Sequence, residues 1–398
     1  MAFSLSRLAL VLAGTALCGP LWGAEIPEWV GRTGFANLHH RCAVDKKAHV
    51  AFLGGSITQN GSGHVTMLPD WLRERYPDAE ITVTNAGLSS TCSVTGAFRV
   101  AKDVLAQGPV DLFVVEFAVN DDQDAAHDRD TAIRGMEGII RQVRSAHPAA
   151  DILMVHFINP GMLEKVTAGE WPVSIAAHEA VAEHWKITSV NLCAALAAST
   201  KSGGMTWETY GGVHPGKEGY RWATDVMIRA MEPLLKAGDT PGLVEHQGPE
   251  APLDPTSYAP VRSIDLQQIS WLGGWTFAPA SAKTVSAGSF RKDYEGWPML
   301  RTTEPGAMLY VDFVGRALTA FVLAGPDAGT LEVSVDGGAW RPVTLFHAFS
   351  NQLHYPRSVV LADGLSAGFH QIALRTAEAS PPGSTGTAAA ILKLAIVE

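Results

Sequence analysis

Cysteine is scarce in this chain, with four in 398 residues. None forms a Cys-x-x-Cys pair and no His-Glu-x-x-His occurs, which excludes the common zinc spacings. Cys18 lies in the N-terminal apolar run. Of Cys42, Cys92 and Cys193, at most one pair can form a disulfide, and the sequence leaves its members open. The adjacent His39 and His40 read as a solvated surface pair. Positive charge is also short: 30 Lys and Arg stand against 40 Asp and Glu, a net charge of −10. With no basic stripe, that balance excludes nucleic acid and an anionic membrane surface as partners. Beyond Leu8–Leu17 no apolar run is long enough to cross a bilayer, so no membrane span is expected in the mature chain. Heptads and internal repeats are absent, and nothing here indicates an oligomeric state.

What is present divides the chain. Residues 1–24 read as an export signal, with Arg7 as their only charge and small residues Gly23 and Ala24 at the end. The expected location is therefore secreted or periplasmic. From 25 to 236, short apolar runs alternate with helical spacing. Strand candidates are Val50–Leu53, Ile81–Thr84, Leu112–Phe117, Ile152–Phe157 and Thr188–Leu192. Ile133, Met136, Ile140 and Val143 recur at helical spacing, as do Trp222, Val226, Met227, Ala230 and Met231. This alternation predicts an α/β domain with a parallel sheet and helices on both faces. Residues 237–260 are rich in Pro, Gly and acid and read as a linker. From 261 to 398 the period becomes two: Leu309, Val311 and Phe313, then Leu331, Val333 and Val335, with Asp336-Gly337-Gly338 as a hairpin turn. A β-sandwich, jelly-roll-like, is expected there.

Chemistry concentrates in four segments. In His49–Gly61 an apolar run stops at Gly54-Gly55 and is followed by Ser56, a hydroxyl at the carboxyl end of a strand, where open α/β sheets bind ligands. A following helix would offer its amides to negative charge near Ser56. Asn85–Arg99 is small and polar, suited to presenting backbone amides. Glu116–Asp122 carries Asn120, an amide donor for an oxyanion. Tyr210–Pro215 carries His214 in a Gly-rich loop before the last helix. Together they supply a nucleophile, a base and oxyanion donors, the requirements of acyl transfer.

These four segments resemble the blocks of the SGNH (GDSL-like) hydrolase superfamily. They stand here as Gly54-Gly55-Ser56-Ile57, Asn85–Arg99, Ala118-Val119-Asn120-Asp121 and Gly211-Gly212-Val213-His214, covering roughly residues 45–236. The TGAFR and VEFAVND strings resemble the GGSIT-type subgroup. The resemblance implies a flavodoxin-like three-layer α/β/α domain. It also implies Ser56 as nucleophile, His214 as base, and an oxyanion hole from Ser56, Ser90 and Asn120. It requires no metal or organic cofactor. Gly55 replaces the Asp of GDS, Ser90 falls at a usual glycine, and Ala118 replaces the glycine of GxND. Gly211 stands where the family carries the aspartate that orients the histidine. Glu208 is the nearest upstream carboxylate and the candidate substitute acid; otherwise a Ser-His dyad operates. Glu116 and Asp121 hold structural positions.

The implied activity is a serine esterase acting on acylated carbohydrate; Trp271, Trp275, Trp297 and Trp340 are candidate sugar-stacking aromatics, with a core or hairpin-packing role the commoner use of each. A lipase or arylesterase is the rival, weakened by the lack of an amphipathic lid. A catalytically impaired glycan-binding protein and an acyl transferase to sugar hydroxyls are further alternatives.

Overall fold

The structure is a computed structural model that describes residues 26–236 and 242–398. The expected export signal lies outside the described residues. The first sheet has six strands: β1 (Trp29–Val30), β2 (Lys47–Gly54), β3 (Glu80–Gly87), β4 (Leu112–Val115), β5 (Asp151–His156) and β6 (Thr188–Asn191). Their order is β1-β6-β5-β4-β2-β3. Five strands run parallel, in flavodoxin-like order, and β1 adds antiparallel to β6, an edge the apolar pattern did not predict. β4 and β5 are buried along their whole length, which is why they read as continuous apolar runs. Helices cover both faces. Arg129–Ala146 turns Ile133, Met136, Ile140 and Val143 into one core, and Lys217–Met231 turns Val226, Met227 and Ala230 into the other.

The C-terminal part is a sandwich of two antiparallel sheets. One contains Tyr355–Ala362, Ala317–Ala324, Ala389–Val397, Pro298–Thr302 and Thr276–Pro279, with Val261–Ile264 paired to Ala389–Val397. The other contains Arg341–Thr344, Thr330–Val335, Gly368–Thr376, Met308–Gly315 and Ser270–Leu272. Leu309, Val311, Phe313, Leu331, Val333, Ile372 and Leu374 point between the sheets, as their period of two requires. Asp336 and Gly337 take φ of 51° and 74°, the turn chemistry expected after Val335.

The segment expected to be a linker has no helix or strand from 242 to 260, yet it is not free. Val244 and His246 bond to Asn37 and Pro148, Asp254 pairs with Arg134, and Tyr258 is fully buried against the core of the first domain. Its polar composition reflects hydrogen bonding to the first domain. The two domains also join directly. Thr95 Oγ1 meets Ser358 Oγ at 2.7 Å, Lys393 Nζ donates to Phe98 O at 2.6 Å, and Arg134 reaches Asp363 at 2.8 Å. Cys42, Cys92 and Cys193 are buried, free thiols, so no disulfide links them.

Candidate active site

The parallel strands reverse their order between β2 and β4, and chain ends on either side of such a reversal open a crevice. Ser56 follows β2 there and Asn120 follows β4. Ser56 begins a four-residue helix, Ser56–Gln59, too short for a large dipole, so its contribution is its amides. His214 Nε2 lies 2.7 Å from Ser56 Oγ, the distance of a nucleophile–base hydrogen bond. The N–H groups of Ser56 and Ser90 have no protein partner among the described residues. Asn120 spends one Nδ2–H on Asp124 Oδ2 at 2.6 Å, leaving the other available. Asn120 opens a π-helical turn, Asn120–Asp124, closed by Ala125 N–H to Asn120 O at 2.8 Å. Ser56, Ser90, Asn120 and His214 line one cavity of about 290 Å³.

Two buried carboxylates brace the crevice. Glu116 Oε1 accepts from Gly55 N–H at 2.9 Å and from Thr58 Oγ1 at 2.6 Å, tying the nucleophile turn to β4. Burial pushes its carboxyl up to about 7 against the opposing pull of the Thr58 hydroxyl and the Gly55 amide. Asp121 accepts from Ser93 N–H at 2.8 Å and faces His178 Nε2 at 2.9 Å. Burial opposes its charge, but His127 and His178 outweigh burial and hold it below the usual carboxylate range. On the other side of the turn, Arg99 donates to Gly54 O at 2.8 Å and Ala86 O at 2.6 Å.

The substitutions in the motifs now have physical reasons. A Cβ on Gly55 would overlap Asn120 Oδ1 and stand 3.0 Å from Asn120 Cγ, so a side chain at this position requires the Asn120 side chain to shift. Ser90 adopts φ 64°, the left-handed backbone that explains the usual glycine. Gly211 caps the helix Trp207–Tyr210 at φ 98°, and a Cβ there would come within 2.5 Å of Gly216 N. An aspartate cannot occupy that backbone without rebuilding the loop.

The expectation for Glu208 is corrected. It sits in the exposed first turn of Trp207–Tyr210, where its own backbone N–H and then the Thr206 hydroxyl hold its carboxyl below the ordinary value. It makes no bond to His214. No carboxylate or carbonyl among the described residues hydrogen-bonds His214 Nδ1. Asp124, four residues after Asn120, lines the same cavity. Burial raises its carboxyl against the opposing pull of Asn120, Gln123, His347 and His214, and no hydrogen bond links it to His214.

The tryptophans are also corrected. Trp275 is buried in the sandwich, Trp271 packs against the same core, and Trp297 packs on Tyr294 and Phe321. Arg375 covers Trp340, 4.3 Å above its ring. None lines the cavity. Instead the sandwich contributes Arg291, Phe349, Leu353 and Tyr355 to its wall. His347, stacked on Tyr355 with centroids 4.7 Å apart, bonds through Nε2 to Asp124 O at 2.8 Å. Gln59 links all three parts: Oε1 accepts from Ser89 N–H at 3.0 Å, and Nε2 donates to Asp293 Oδ1 of the sandwich at 3.0 Å.

One group of metal-type donors occurs among the described residues: Cys92, Asp121 and His127, with donor atoms within 4.8 Å of one another. His39 and His40 turn to different partners, Tyr76 and Asp45, and do not form a site. Among the described residues no helix is long and apolar enough to cross a membrane.

Residues 52–222 match the GDSL-like Lipase/Acylhydrolase family. The chain therefore carries a GDSL-like acylhydrolase domain. No curated protein sequence matches the chain. Among solved structures, a two-domain esterase (CEX) active on acetylated mannans superposes with TM-score 0.72 at 18% identity, covering 93% of this chain and 97% of that one. The same esterase co-crystallized with mannopentaose gives 0.68 at 19% identity, over 93% and 96%. The likeness extends over both domains, so the α/β-plus-sandwich arrangement is a shared fold.

Proposed function

We propose that this protein is an exported serine esterase that removes O-acetyl or other short acyl groups from carbohydrate. The observation that carries the proposal is the 2.7 Å contact between Ser56 Oγ and His214 Nε2 beside three unengaged N–H donors. Ser56 Oγ attacks the ester carbonyl while His214 Nε2 takes its proton. The oxyanion is received by the N–H groups of Ser56 and Ser90 and by Asn120 Nδ2. Collapse breaks the bond to the sugar oxygen, which recovers the proton from His214. Water, deprotonated by His214, then releases the acid from Ser56.

With no acid hydrogen-bonded to Nδ1 among the described residues, His214 works as a dyad partner of Ser56. A cavity of about 290 Å³ lies at the lower end of small-ligand sites, favouring a short acyl group over a fatty chain. The two-domain neighbour acts on acetylated mannans, which supports the carbohydrate class. The GGSIT-type strings and the N-terminal segment support an exported member of the superfamily. Acetate release across a panel of O-acetylated glycans tests the reading. Release from at least one glycan, at rates above those on long-chain 4-nitrophenyl esters, is expected. Release only from long-chain esters would favour the lipase alternative.

A further inference from the structure

Resting on the esterase reading above, we infer that Arg291 is a substrate-binding residue and that the preferred substrate is an acylated carbohydrate bearing a carboxylate, such as a uronic-acid oligosaccharide. Arg291 comes from the sandwich and lines the cavity that holds Ser56 and His214. Its guanidinium forms no ion pair and no hydrogen bond among the described residues, and its Nε is buried without a partner. Other interface arginines engage their terminal guanidinium nitrogens, even where, as in Arg99, the Nε is also unpartnered. Arg99 and Arg357 donate to the backbone carbonyls of Gly54, Ala86 and Leu345, and Arg134 is held between Asp254 and Asp363. Leaving a half-buried guanidinium unpaired is costly, and a ligand carboxylate removes that cost with a planar, bidentate partner.

The arginine is also held in place. It precedes the short turn Lys292–Tyr294, which is fixed to the catalytic domain at both ends of the reacting groups. Asp293 accepts from Gln59, on the helix that begins with Ser56, and Tyr294 Oη donates to Ser89 O at 3.1 Å, next to the oxyanion residue Ser90. The backbone that carries Arg291 is therefore registered against nucleophile and oxyanion loop together. Since the whole chain is acidic, long-range attraction does not recruit a polyanion. Recognition is local to this guanidinium, and it acts on binding more than on the chemical step.

The test uses the full chain with O-acetylated oligogalacturonides and O-acetylated oligomannuronates, each beside its carboxyl-reduced counterpart, and 4-nitrophenyl acetate as a neutral reference. Wild type is expected to prefer one charged oligosaccharide over its reduced form by about tenfold to hundredfold in kcat/KM, the range of a charged hydrogen-bonded pair. Arg291→Gln should abolish that preference, chiefly by raising KM for the charged oligosaccharide, with a loss on 4-nitrophenyl acetate at least tenfold smaller than the loss on the charged substrate; Arg291→Lys should recover part of the preference. Activity on 4-nitrophenyl acetate with no preference within either pair would overturn the inference while leaving the esterase reading intact. Equal losses for Arg291→Gln on charged and neutral substrates would also overturn it, by assigning the guanidinium to the oxyanion. Absence of any Ser56-dependent hydrolysis would instead remove the esterase reading itself.

Discussion

Replacing Gly55 by alanine tests how tightly the nucleophile turn and the oxyanion hole are built against each other. Gly55 has φ −84°, a value any residue adopts, so backbone strain plays no part. The obstacle is contact: the new Cβ would overlap Asn120 Oδ1 and stand 3.0 Å from its Cγ. Carbon contacts prefer about 3.5–4.0 Å, so Asn120 has to retreat by roughly 0.5–1 Å. A displacement of that size removes an oxyanion donor in effect, and loss of one donor costs about 10²–10³ in kcat, or roughly 3–4 kcal/mol. Asn120 also donates to Asp124, so the shift disturbs that bond as well. The assay is kcat for 4-nitrophenyl acetate in wild type, Gly55→Ala, Asn120→Ala and the double variant, with thermal unfolding to establish that each folds. Both single variants should lose a similar factor. The double variant should be no slower than Asn120→Ala, because the alanine methyl acts only through Asn120. Retention of wild-type kcat within about threefold by folded Gly55→Ala would refute the reasoning, as would full additivity of the two losses.

Further outcomes follow from the same geometry. Gly211→Asp, which restores the family's acid in sequence, should not raise kcat. It should instead destabilise the protein by about 1–3 kcal/mol, because residue 211 sits at φ 98° against the Gly216 backbone; a rise in kcat with unchanged melting temperature would show that the loop accepts the acid. Glu208→Ala should change kcat by less than about threefold, since its carboxylate is solvent-facing; a loss of several hundredfold in the folded variant would restore it as the acid. Glu116, whose carboxyl is raised by burial from 4.5 to about 7, binds its proton more tightly folded than unfolded. Its protonation therefore stabilises the fold fully below about pH 4.5, and that contribution disappears as pH rises through about 7, roughly 3 kcal/mol in all. Denaturant unfolding should show the advantage of wild type over Glu116→Gln shrinking between about pH 5 and about pH 8; a constant difference would contradict the assignment.

The parts of this site that were legible in sequence are those carried by local pattern. Val50–Leu53 and Leu112–Val115 are uninterrupted because both faces of a parallel strand are covered, and Ser56 and Asn120 follow strand ends. Ser90 could be placed at a glycine slot by order alone, and its φ of 64° is what that slot demands. The rest depends on distance in space. Arg291, Phe349, Leu353 and Tyr355 come from a domain whose own pattern encodes only its two sheets, and no periodicity reports which loop docks on Ser89 or Gln59. Asp124 lies just beyond the Glu116–Asp122 segment, and only the π-helical geometry turns it toward Asn120 and the cavity. The tryptophans misled for the opposite reason. Composition marks them as sugar-binding candidates, whereas Trp275 is buried, Trp271 and Trp297 pack on neighbouring side chains, and Arg375 covers the exposed Trp340.

The central claim is that Ser56, activated by His214, carries the acyl group. The direct measurement is hydrolysis of 4-nitrophenyl acetate by wild type and by Ser56→Ala, with mass spectrometry of the intact protein and of its proteolytic peptides after a rapidly quenched reaction. Wild type should turn over and show an added acetyl group on the peptide containing Ser56, and Ser56→Ala should match the uncatalysed rate and remain unlabelled. Equal rates for the two proteins, or an acetyl group on any other residue, would contradict the account.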